Sequence, residues 1–147
     1  MTGSTTSLRL LTSTLAMSLA MVPARAEGSA PVPALTLELN SALPSDKGCR
    51  LTFLVNNNLG ADLSKAAFEI ALFNEAGVVD RLAVLDFKDL AAGKTEVARF
   101  DLAGTDCTKV SRVLINSATE CAGSGVEPAA CMRKLKTDTK TGITFGV

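Results

Sequence analysis

The chain contains no histidine, no tryptophan and no tyrosine. Without histidine, the commonest general base near neutral pH and the commonest metal ligand are both missing. A Ser–His–Asp or Cys–His nucleophile cannot be assembled. Glycoside cleavage needs two carboxylates facing each other across a sugar. The pairs at hand, Asp86 with Asp89 and Asp101 with Asp106, have no Trp or Tyr platform beside them. They read as solvated charges at strand edges, where charge also discourages edge-to-edge pairing. Excess positive charge is absent too, with 15 Lys and Arg against 15 Asp and Glu. Nucleic acid is therefore not an expected partner, since binding it needs a basic face that releases counterions from phosphate. There is no Cys-x-x-Cys, hence no thioredoxin-like redox motif, and no residue set asks for a cofactor.

The N-terminus is what the chain does have. Met1 to Arg9 is polar and ends in a positive charge, Leu10 to Val22 is apolar, and Pro23-Ala24-Arg25-Ala26 supplies small residues at the spacing a signal peptidase accepts. Residues 1–26 read as a secretory signal peptide cut between Ala26 and Glu27. The apolar run is too short for a bilayer span. A single arginine precedes it and no cysteine follows the cut, so neither a twin-arginine signal nor a lipid anchor is expected. The expected home is the periplasm, reached by the general secretory route, with no stable membrane anchor after cleavage. Losing Arg9 and Arg25 moves the formal charge from 0 to −2.

All four cysteines, Cys49, Cys107, Cys121 and Cys131, follow the cut. An even number in an exported chain reads as disulfides, with three connectivities open to four cysteines. Cys121 and Cys131 bracket CAGSGVEPAAC, a loop that a local bridge would close. A copper(I) site from Cys131 and Met132 is the competing use of those sulfurs, and a bridge beside a packing methionine is the plainer one. Asp138 to Gly142 resembles a calcium loop only faintly. Lys140 stands where an acid belongs, so the segment reads as a turn.

Residues 27–34 form a Pro- and Ala-rich lead-in. Beyond it, apolar residues recur at every second position in short runs separated by turn formers. Leu35–Leu39, Cys49–Val55, Ala67–Asn74, Val78–Phe87, Thr95–Leu102 and Val110–Asn116 read as strands, the fourth with the least regular alternation. Helix competes over Ala61–Phe73 on propensity, but Phe68, Ile70 and Leu72 hold period two. The pattern predicts an all-β sandwich over 35–116. The extension 117–147 is expected to hold the disulfide loop, a helical turn near Ala129–Lys136 and an edge strand within Thr141–Val147.

Within this frame, Asn56 or Asn57 ends a strand, and Ile70-Ala71-Leu72-Phe73-Asn74 follows on the next. Gly77 marks a turn, Leu90-Ala91-Ala92-Gly93 another, and Phe100 lies on the strand after it. In these residues Cys49–Leu102 resembles the FxLYD-type immunoglobulin-like domains of small exported bacterial proteins. Ile and Phe stand for the motif's Phe and Tyr, Asn for its Asp, and Ala for the turn Pro. The resemblance implies an immunoglobulin-like antiparallel β-sandwich of about six to seven strands and brings no catalytic residues. On such a fold, strand 49–55 antiparallel to 95–102 would bring Phe53 near Phe100 and Cys49 beside the turn holding Cys107. The preferred bridges are then Cys49–Cys107 and Cys121–Cys131.

Two polar clusters remain. The run Asn56-Asn57-Asn58 stands where alternation stops. Asn bonds its neighbouring backbone readily, which favours a strand-ending role; partner contact at a loop-bearing end is the alternative. Arg133, Lys134 and Lys136, with Lys140, form a basic cluster that reads as a solvated face or as the contact for an acidic partner. The expected function is a non-catalytic binding or interaction module meeting an envelope protein or polymer. A structural or stress-related periplasmic protein is the first alternative, and a hydrolase using an unrecognised carboxylate site is the second.

Overall fold

The computed structural model describes residues 1–3 and 28–147, and every strand falls within Pro31–Val147. The apolar run Leu10–Val22 and the expected cut between Ala26 and Glu27 lie outside the described residues. Among the described residues eight strands form: β1 (Ala34–Ser45), β2 (Gly48–Asn58), β3 (Leu63–Asn74), β4 (Val79–Leu90), β5 (Thr95–Ala103), β6 (Val110–Ala122), β7 (Leu135–Thr139) and β8 (Thr144–Gly146). A 3-10 turn at Cys107–Lys109 and one short helix, α1 (Ala130–Arg133), complete the fold. The first sheet is ordered β5-β2-β1-β7 and the second β4-β3-β6-β8. Together they make the all-β sandwich the alternation predicts.

Period two decides the core. Leu35, Leu37 and Leu39 of β1, Leu51, Phe53 and Val55 of β2, and Phe68, Ile70 and Leu72 of β3 are all buried. Each such side chain contributes about 1.5–3 kcal/mol when taken from water. Five of the six phenylalanines meet between the sheets. Phe53 lies 5.7 Å from Phe87, 6.0 Å from Phe100 and 5.5 Å from Phe145, and Phe68 lies 5.9 Å from Phe87. Edge-on ring contacts of this kind are favoured by the ring quadrupoles. The sixth, Phe73, is half-buried on the outer face of the second sheet, beneath Arg112.

β2 pairs antiparallel with β5, Leu51 opposite Phe100 and Cys49 opposite Leu102. The preferred bridges are the ones that form, Cys49–Cys107 with Cα atoms 5.0 Å apart and Cys121–Cys131 at 5.9 Å.

Several details depart from expectation. β1 continues through Pro44, past the expected strand end at Leu39. β7 covers β1 only over Leu35–Leu39, so Pro44 pairs with Cys49 on one side alone and its missing N–H costs no ladder bond. β6 runs six residues past the expected strand end at Asn116, into the C-terminal extension. β7 was not anticipated, and the sheets are mixed rather than purely antiparallel: β7 joins β1 and β8 joins β6 in parallel. The chain leaves β6, turns through α1, and reaches the opposite sheet before returning, so each late strand arrives running with its neighbour.

Candidate functional site

One end of the sandwich gathers the connection β2–β3, the turn β4–β5 and the disulfide loop between β6 and β7. Asn57 organises it. Its side chain is fully buried. Its Nδ2 donates to the carbonyls of Ala61 and Leu90, both at 2.9 Å, and its Oδ1 accepts from the Leu59 N–H at 3.1 Å. The Gly93 N–H donates to the Asn57 carbonyl at 2.7 Å. Gly93 holds φ at 74°, a left-handed conformation that glycine adopts without a Cβ penalty. Asp62 adds a tie by accepting from the Ala92 N–H at 2.7 Å. Asn57 is thus committed to the fold and offers nothing to a partner. Its neighbours differ. Asn56 donates from Nδ2 to Thr95 Oγ1 at 2.9 Å while remaining partly exposed, and Asn58 is exposed.

The disulfide loop lies against this end. An added Cβ on Gly123 would stand 2.3 Å from the Asp62 carbonyl oxygen, so only glycine lets the two backbones pass this closely. Cys121–Cys131 closes the loop and α1 follows from it. Between loop and connection runs a groove of about 300 Å³, walled by Leu59 and Ala61 on one side and by Val126, Glu127, Arg133 and Lys134 on the other. Arg133 pairs with Glu127 along this wall. The Lys134 carbonyl accepts from the Leu35 N–H at 3.0 Å, which fixes its backbone to the start of β1, while its side chain stays exposed.

No family model, curated protein or solved structure matches this chain.

The fold brings together two of the candidate clusters only in part. Arg133 and Lys134 line the groove that begins one residue past Asn58. Lys136 is carried away on β7, opposite Thr36. Lys140 stands in the following turn, 3.3 Å from Asp138 and 3.7 Å from Glu38. The Asp138 carboxylate raises the pKa of Lys140. The Asp138 carboxyl is itself lowered, first by the Thr139 N–H and then by Lys140.

Three of the other carboxylates are occupied separately. Asp86 is held by the Lys88 ammonium and N–H, Asp101 by the Arg50 guanidinium at 3.0 Å, and Asp106 by the Thr108 hydroxyl and N–H, where it caps the 3-10 turn. Each of these bonds favours the anion and lowers the carboxyl pKa. A general acid needs the opposite shift. Cys131 spends its sulfur in the bridge. Among the described residues, no three Cys, Asp or Glu side chains converge on a metal-sized site. No helix among them is long and apolar enough to cross a membrane. What residue-by-residue reading missed was Val126, Leu59 and Ala61, apolar groove residues with no pattern to mark them before the loop folds back.

Proposed function

We propose that this chain is an exported envelope protein acting as a non-catalytic binding module. The observation that carries the reading is the groove at the Asn57 end. It has an apolar wall at Leu59 and Ala61, a charged wall where Arg133 and Lys134 stand with Glu127, and two loops braced by a buried amide and a disulfide. A site with fixed walls loses little entropy on binding. The two disulfides support an oxidising compartment, and the N-terminal pattern supports export with cleavage before Glu27. The downward shifts of Asp86, Asp101, Asp106 and Asp138 favour binding over acid–base chemistry. The FxLYD-like segment adds an immunoglobulin-like interaction domain as the nearest analogy. The partner this groove suits is an extended envelope protein segment or polymer carrying negative charge beside an apolar group.

A photo-crosslinker placed at Lys134 in the exported chain, activated in intact cells, tests this. One discrete adduct, lost in Arg133→Glu and in an Ala61→Arg variant that fills the groove, is the expected result. Adducts no more frequent than from a crosslinker at exposed Leu43 would refute it and favour the structural, abundance-based reading.

A further inference from the structure

Four exposed apolar side chains gather at one place. Val79, Leu82 and Val84 of β4 are 49%, 55% and 57% exposed, and Val78 just before them is 58% exposed. Pairing and alternation place Val79, Leu82 and Val84 on the outer face of the second sheet, because Ala83 and Leu85 stand opposite the core residues Ile70 and Phe68. Three rows cross that face. Leu82 is opposite Ala71, which is opposite Leu114, which is opposite Gly146. On one side lie Val79, Phe73, Arg112 and Thr144. On the other lie Val84 and Glu69, with Asn116 bonded to the Glu69 carboxylate at 2.6 Å. The middle row is wholly apolar. The flanking rows carry one charge each, the cation Arg112 on β6 and the anion Glu69 on the adjacent β3.

Arg112 is incomplete as it stands. Its guanidinium stacks on Phe73, 5.4 Å from the ring centre, and its buried Nε has no hydrogen-bond partner among the described residues. Glu69 receives the Asn116 amide and no cation among the described residues.

We propose that two copies of this chain pack through the outer face of the sheet β4-β3-β6-β8, across a two-fold axis running along the row Leu82–Ala71–Leu114–Gly146. Such an axis lays the middle row on its own copy, so that Leu82 meets the partner's Leu82. It sets Val79 over the partner's Val84, Phe73 over the partner's Glu69, and Arg112 over the partner's Asn116, one strand from that same Glu69, twice by symmetry. Aligned sheets packed face to face have this geometry, and an isologous interface requires this self-complementarity. A lipid surface or a uniformly charged partner would satisfy only one of the two charges. The face lies on a different part of the molecule from the groove and does not depend on it.

Sedimentation equilibrium of the full chain, exported and recovered oxidised, tests the proposal from about 1 to about 100 µM, the range in which modest interfaces show. A dimer is expected. Leu82→Glu should weaken it at least about tenfold, and Val97→Glu, on the outer face of the other sheet, should leave it intact. Arg112→Glu should weaken the dimer, and adding Glu69→Arg should restore it. Intact mass showing both disulfides, and a urea midpoint matching the parent's at a concentration low enough for both to be monomeric, verify that each variant is folded. If Leu82→Glu fails that check, Arg112→Glu and the double variant decide alone. A monomer throughout the range overturns the proposal. So does a dimer indifferent to Leu82→Glu and Arg112→Glu, or a double variant no better than the single. A monomer that binds anionic vesicles or another protein through Leu82 would give the face to that occupant and equally overturn it.

Discussion

Asn57→Ala removes three hydrogen bonds at once without touching the hydrophobic core. The amide donates to Leu90 and Ala61 and accepts from Leu59. The bond to the Leu90 carbonyl is buried, whereas those to Ala61 and Leu59 are partly exposed. Leaving a buried acceptor unpaired costs about 1–3 kcal/mol, and bonds that water can replace cost about 0.5–1 kcal/mol each. The total is about 3 kcal/mol, a large fraction of the ~5–15 kcal/mol that holds a domain of this kind. With a urea slope of about 1–2 kcal/mol/M, the midpoint should fall by about 2 M at unchanged slope. Asn58→Ala, at an exposed position, should stay within about 0.5 kcal/mol of the parent. Asn57→Asp adds a signed check. Facing two carbonyls, a carboxylate is repelled, so the folded state raises its pKa above the unfolded value. The stability this variant has when protonated is then lost as pH rises through about 4 and beyond. Asn57→Asp should thus fall further behind Asn57→Ala at neutral pH than in acid. An Asn57→Ala loss below about 1 kcal/mol would refute the reasoning, since it would leave the buried amide with no work beyond what water does.

The two bridges should differ in worth. Chain-entropy scaling for separations of 58 and 10 residues predicts losses of about 4 kcal/mol for Cys49→Ala/Cys107→Ala and about 3 kcal/mol for Cys121→Ala/Cys131→Ala, read by urea unfolding. Gly123→Ala should destabilise by at least about 2 kcal/mol, because its Cβ would meet the backbone of Asp62; a thermal midpoint unchanged from the parent would show that the loop simply swings away. Asp101 and Asp106 have lowered folded pKa values, through Arg50 and Thr108 respectively. The stability they contribute is present above the ordinary carboxyl range and lost as pH falls through the folded values. Asp101→Asn should make unfolding between pH ~4 and ~2 less steep, as followed by circular dichroism.

The inner half of the sandwich was legible because burial on one face imposes period two. β2 and β3 could be read residue by residue, and their cysteine and phenylalanine neighbours followed from an antiparallel pairing. β4 was the least regular run, and the structure gives the reason. Leu82 and Val84 point outward, so apolar residues occupy both faces and alternation blurs. The signal that weakened the strand assignment is the same one that marks the candidate interface. β7 was illegible for a different reason: LKTDT is short and polar, and only the hydrogen-bonding edge of β1 makes it a strand. Of the candidate site, the asparagine run marked the end of β2 beside which the groove opens, but it took tertiary closure to separate buried Asn57 from exposed Asn58 and to disperse Lys136 and Lys140 from the groove.

The pairing of β1 with β7 also has a meaning in time. Leu35 meets Leu135, and the Thr139 hydroxyl reaches the Leu39 carbonyl across 100 residues. A chain made from its N-terminus onward presents Leu35, Leu37 and Leu39 long before β7 exists to complete that edge. Contacts so distant in sequence form late and slowly. Throughout that interval β1 is paired with β2 on one side and open on the other, the kind of apolar edge that draws aggregation or a holding chaperone. Closing that edge is therefore among the last steps in building the sandwich, and whatever covers it until then guards the folding chain.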